Sequence, residues 1–150
     1  MTVDSRGLRF AAWLTTAVLV VVLVTGSGWL LLAQSLVFAL GAFFGLRRSP
    51  YGLLFRYVVA PRLGPPRESE PEAPPRFAQL VGLLFGLAGT VGYLLGAPLL
   101  GAISTSAALA AAFLNAAFGF CLGCEIFLLL RRATRRTSTV PTRKQEGAPA

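Results

Sequence analysis

The chain has 150 residues and a formal charge of +8, yet 55% of it is hydrophobic and only 13% is charged. A soluble domain of this size carries about 25% charge, disorder needs low hydrophobicity, and a soluble nucleic-acid binder gathers its cations on a polar surface. Long stretches here hold no charge at all, which leaves a small integral membrane protein.

The first apolar segment covers residues 8–25 and is broken by Thr25-Gly26-Ser27-Gly28. Arg6 and Arg9 precede it, as they would in a signal peptide. However, no small-x-small cleavage site follows, and a second apolar segment begins almost at once. We read it as a retained span. The second span covers 29–46, the third 77–97, and the fourth 102–130, ending at Arg131 and Arg132. Each has about the 20 residues that roughly 30 Å of hydrocarbon requires. The fourth is longer than needed and should tilt, bend near Gly119 or project from the membrane. Residues 133–150 read as a basic, disordered cytoplasmic tail, beyond a membrane domain of residues 1–132. The expected fold is all-α: a four-helix transmembrane bundle, with a short interfacial helix in the central loop.

That interfacial helix starts at Ser49-Pro50, a serine N-cap with proline at the first helical position, and Pro61 should end it. The loop continues through Pro65, Pro66, Pro71, Pro74 and Pro75 with Glu68, Glu70 and Glu72, which predicts an extended, solvated linker.

All fourteen cations fall in the amino-terminal tail, the central loop and the carboxyl tail, and none in the two short turns. The positive-inside rule then puts both termini in the cytoplasm, in a bacterial plasma membrane, with Arg47, Arg48, Arg56, Arg131 and Arg132 at the inner interface. The lipid bilayer is thus the first partner, and no nucleic acid is expected. Within the spans, Gly82 and Gly86 form one small-xxx-small pair and Gly119 and Gly123 another. They read as helix packing, with homodimerisation as the alternative. Gln34, Ser35, Thr90 and Asn115 should hydrogen-bond between helices.

The chain has no histidine and two cysteines, so the commonest general base and metal ligand is missing and no disulfide framework exists. One segment carries chemistry: Cys121-Leu-Gly-Cys124-Glu125. In a continuous helix these three polar groups share an arc of about 100°, with Gly119 and Gly123 roughly opposite. Glu125 is the one acid inside a span and must face protein or water, pair with a cation, or be protonated. Mid-helix geometry is poor for redox work, because redox C-x-x-C pairs usually begin a helix, where the dipole lowers the thiol pKa. Four readings stand: a dithiol–disulfide pair, a persulfide carrier, a soft-metal site lacking a fourth ligand, and packing cysteines. No metal or cofactor is called, and nothing marks the chain as an enzyme.

The runs Arg48-Ser-Pro-Tyr-Gly-Leu-Leu-Phe-Arg56, Pro75-Arg-Phe-Ala-Gln79 and Phe113-Leu-Asn-Ala-Ala-Phe-Gly-Phe-Cys-Leu-Gly-Cys-Glu125 resemble the DUF4395 family over about residues 3–132. These are small bacterial membrane proteins of unknown function. Some relatives are joined to, or encoded beside, thioredoxin-like or rhodanese-like proteins. That association favours the thiol or sulfur reading, and the expected function is a thiol or sulfur relay with such a soluble partner, for which Cys121, Cys124 and Glu125 are the candidate residues. The alternative is a non-enzymatic membrane scaffold or small transport subunit, with the cysteines as packing residues.

Overall fold

The computed structural model describes residues 2–137, with the backbone alone for residues 136 and 137. Four long helices dominate: α1 (Ser5–Thr25), α2 (Gly28–Phe44), α5 (Ala73–Leu94) and α6 (Pro98–Phe118). Between α2 and α5 lie α3 (Pro50–Leu54), a π-helical turn at Phe55–Val59, and α4 (Ala60–Leu63). A last helix, α7, covers Leu122–Thr137. Strands β1 (Thr2–Asp4) and β2 (Ser69–Pro71) form one short antiparallel ladder, with Val3 opposite Glu70.

The fold is all-α apart from that ladder. Helices α1, α5 and α6 are long and apolar enough to cross a membrane, and α2 is apolar but shorter. Successive long helices run antiparallel. Helix α5 packs on α2 and α6, and α6 packs on α1.

Much of what the packing buries is small or polar. Thr15, Thr16, Gln34, Ser35, Thr90, Ser104 and Thr105 are buried, alongside a core of Leu19, Val22, Leu31 and Ala108. What it exposes is large and apolar: Trp29, Leu36, Phe43, Leu95 and Leu99 among many. In water that arrangement is unstable. In lipid, close van der Waals approach replaces the hydrophobic drive between helices. Gly92 shows how close that approach is: a Cβ there would lie 2.6 Å from the backbone nitrogen of Gly101.

Ser35 and Thr90 do not bond between helices as expected. Ser35 Oγ donates to Leu31 O at 2.8 Å, and Thr90 Oγ1 to Gly86 O at 2.7 Å. A hydroxyl near its own helix finds the carbonyl four residues back without help from a neighbour. Gln34 does bond across elements, accepting from the Tyr51 hydroxyl at 2.6 Å.

The caps explain where the helix ends depart from expectation. Pro74 and Pro75, expected in the linker, lie in the first turn of α5, and Pro98 lies in the first turn of α6, where a missing N–H costs nothing. Ser49 caps α3 as expected, its Oγ accepting from Gly52 N at 3.1 Å. Pro61 does not end this segment. The π turn before it puts Ala60 N–H on Phe55 O, five residues back, and this wider turn accommodates the proline ring. The helix continues to Leu63, and Gly64 at φ 75° ends it.

The linker is likewise more tied than predicted. Ser69–Pro71 pairs with β1, and Glu72 is buried, its Oε1 accepting from Leu46 N at 3.0 Å. Arg76 caps α2, donating to Ala42 O and Phe43 O at 3.0 Å each. Arg6 pairs with Asp4 at 3.0 Å and also donates to the carbonyls of Leu63, Gly64 and Pro65. These contacts gather the start of α1, the end of α2, the central loop and the start of α5 at one end of the molecule. Arg6, Arg47, Arg48, Arg56, Arg62, Arg67 and Arg76 sit there, and among the described residues the turns after α1 and α5 at the opposite end hold none.

Helix α7 continues through residues 133–137, where the sequence predicts a disordered tail. The remainder of that tail, with Arg143 and Lys144, lies outside the described residues.

The Glu72 contact yields a stability test. Glu72→Ala leaves the buried Leu46 N–H without an acceptor, which costs about 1–3 kcal/mol. Glu72→Gln keeps an acceptor and should cost less. Thermal unfolding of the purified chain in detergent should rank wild type above Gln above Ala.

Candidate functional site at the start of the last helix

The fourth apolar segment is not one helix. Helix α6 ends at Phe118, and Gly119 adopts φ 69°, the left-handed conformation that glycine reaches without penalty. Gly119 N donates to Asn115 O at 3.0 Å, and Phe120 N to Leu114 O at 3.4 Å, closing a helix end that satisfies the last carbonyls. Arg9 adds to it, its Nη2 donating to Ala116 O at 3.3 Å. A cation there also opposes the negative end of the α6 dipole.

Three consequences correct the sequence reading. The span expected at 102–130 divides into α6 and α7. The arc shared by Cys121, Cys124 and Glu125 assumed an unbroken helix and does not apply. A Cβ at Gly119 would meet nothing within 4 Å, so it offers no close helix contact to pair with Gly123, and its φ of 69° turns the chain. Gly123 does meet a neighbour: a Cβ there would lie 2.6 Å from Ala78 Cα, so α7 crosses the start of α5 at close range. Phe127 on Phe77, with ring centroids 5.7 Å apart, holds the same crossing.

Cys121 therefore lies just before α7, where a helix places its cap. Its Sγ accepts from Cys124 N at 3.3 Å, and its carbonyl accepts from Glu125 N at 3.0 Å. Serine, threonine, aspartate or asparagine usually do this, and here a sulfur does. The Cys124 thiol also hydrogen-bonds to the Cys121 sulfur. That bond holds the Cys121 thiol below its ordinary range, aided by the backbone N–H groups of Cys124 and Gly123 and opposed by partial burial and by Glu70. Cys124 is pushed the other way, first by its bond to Cys121, then by burial and by the negative groups around it, Glu70 and Glu125. The two thiols are thus shifted in opposite directions. Both cysteines are free and half-buried.

Glu125 is exposed, in the first turn of α7, where a carboxylate complements the helix dipole. The break at Gly119 separates it from α6. Among the described residues, no three His, Cys, Asp or Glu side chains group as metal ligands would.

The remaining sequence candidates are placed as follows. Gly82 lies against the Phe38 ring, and Gly86 against Ser35, so both serve the α2–α5 contact within one chain. Arg47, Arg48, Arg56, Arg131 and Arg132 are exposed. Asn115 does not bridge helices. It lines a cavity of about 1080 Å³ whose wall includes both cysteines. Arg9 and Glu70 belong to the same wall and were not singled out from the sequence. A charged residue far along the chain announces itself only once β1, β2 and α6 are brought together.

The family model for DUF4395, a domain of unknown function, matches residues 3–132. The chain belongs to this family. The DUF4395 match runs from β1 into α7, so the cysteine-bearing connection lies inside the family domain. No curated protein and no solved structure matches the chain.

The two thiols should titrate differently. Since Cys121 is lowered, its alkylation by iodoacetamide should reach half-maximal rate below about pH 8.5, the usual cysteine value. Cys124→Ala removes the largest cause of the lowering and should move that midpoint upward. Peptide mass mapping across a pH series reads both.

Proposed function

We propose that this DUF4395 protein is a membrane-anchored thiol relay, with Cys121 as the attacking sulfur and Cys124 as the resolving one. The observation that carries the reading is the position of Cys121 at the cap of α7, with Cys124 three residues on and bonded to it. A redox C-x-x-C pair needs a helix start, because amide N–H groups there favour the thiolate. In this reading α1, α2, α5 and α6 form a four-helix transmembrane bundle, and α3, α4 and α7 lie along its inner face. The arginines gathered at one end make that end cytoplasmic in a bacterial plasma membrane, with both termini inside.

The partner is a soluble thioredoxin-type protein. Its disulfide is attacked by the Cys121 thiolate. The partner S–S bond breaks, a bond from Cys121 to the partner forms, and the released partner thiolate takes a proton. Cys124 then loses its proton and attacks the Cys121 sulfur, which closes the Cys121–Cys124 disulfide and frees the second partner thiol. Two electrons and two protons pass to the partner, and the sequence reverses when the partner arrives reduced. A rhodanese-type partner would instead pass a sulfane sulfur to the Cys121 thiolate. Cys124 would then expel it as hydrosulfide while closing the disulfide.

Trapping tests the assignment of roles. Purified Cys124→Ser chain incubated with oxidised thioredoxin should accumulate a reductant-sensitive adduct, and Cys121→Ser should not. Equal adducts from both variants, or none from either, would contradict the relay.

A further inference from the structure

The relay leaves one cavity unexplained. About 1080 Å³ lies between α1, α5, α6 and α7 at the arginine-bearing end, slightly larger than the roughly 300–1,000 Å³ of ordinary small-molecule sites. Its walls are mainly apolar, and the room comes from facing alanines, Ala11 and Ala12 on α1 with Ala107, Ala108 and Ala111 on α6. Cys121 and Cys124 stand in the same wall.

Its polar groups restrict what fits. Arg6, Arg9 and Arg67 are matched there by Glu68, Glu70 and Glu125, so the wall offers no excess positive charge for a phosphate headgroup. The Asn115 amide, also in the wall, makes no side-chain hydrogen bond among the described residues. An apolar body, a neutral head and carbonyl oxygens to accept from an amide N–H would satisfy this surface. The thiol pair beside it exchanges electrons and protons in twos.

Resting on the relay reading, we propose that the cavity is a binding site for a membrane-soluble quinone, which takes electrons from the Cys121–Cys124 pair. Cys121 and Cys124 each give up a thiol hydrogen and join in an S–S bond. The quinone gains those two electrons and two protons and leaves as the quinol. A reduced soluble partner then restores the dithiol through Cys121.

The test uses purified, pre-reduced full-length chain in detergent with a fully substituted benzoquinone bearing a short alkyl tail, which cannot add covalently to thiols. Quinol formation is read by absorbance, and the disulfide by intact mass. The expected result is one quinol per disulfide, with a rate that saturates in quinone. Ala111→Trp fills the cavity and should abolish saturation, and Asn115→Leu should raise the half-saturating quinone concentration about tenfold, the loss of one hydrogen bond. Both variants should still close the disulfide with diamide, which reports that they fold and that the thiols remain competent. No quinol, or a rate linear in quinone and equal in all variants, overturns the quinone site while the relay stands. Failure of diamide to join the pair in wild type overturns the relay itself. Retention of a copurifying phospholipid that the quinone does not displace also overturns the quinone site.

Discussion

A helix that continued through residue 119 would carry Cys121, Cys124 and Glu125 along the span, with one carboxylate and two thiols facing lipid or a neighbour. The left-handed turn at Gly119 prevents this. It ends α6 at its last satisfied carbonyls and starts α7 afresh, so the first free amides of a new helix meet the Cys121 sulfur. The same turn places Glu125 in the first turn of a new helix, where its charge complements the helix dipole. Any L-residue with a side chain at that φ would be strained, so the geometry of the pair rests on one glycine's freedom.

That arrangement also needs α7 to be held in place. Gly123 against Ala78 and Phe127 against Phe77 fix it across α5, while Arg9 fixes the end of α6 from α1. The linker supplies the last wall. Pairing of Ser69–Pro71 with Thr2–Asp4 brings Glu70 to the cysteines, where its negative charge opposes both thiolates. The site is thus assembled from β2, α1, α5 and the α6–α7 connection, around a cavity that the alanines leave open.

Much of this was legible in the sequence, by identifiable physics. Charge-free apolar runs mark α1, α5 and α6 because a spanning helix must satisfy its backbone internally and expose apolar side chains. Ser49-Pro50 marks a helix start because both residues suit the first turn. The family resemblance, carried by the run ending in Cys121-Leu-Gly-Cys124-Glu125, agrees with the matched family. What misled was local ambiguity. Glycine inside an apolar run reads equally as a packing surface or as a turn, and Gly119 and Gly123, four residues apart, take one role each. Proline reads as a stop, yet Pro61 sits within a helix because a π turn precedes it. Glu72 looked solvated, because nothing nearby in the sequence shows that Leu46 N–H would need it.

The most direct measurement concerns where the pair stands relative to the bilayer. A membrane-impermeant maleimide applied to sealed vesicles of opposite orientation reads this without any assumption about a partner. With the helix broken at Gly119 and the arginine-bearing end cytoplasmic as proposed, Cys121 should be labelled in inside-out vesicles and protected in right-side-out ones. Labelling only in right-side-out vesicles would invert the topology. Protection in both until detergent is added would place the cysteines inside the membrane and contradict the account at its centre.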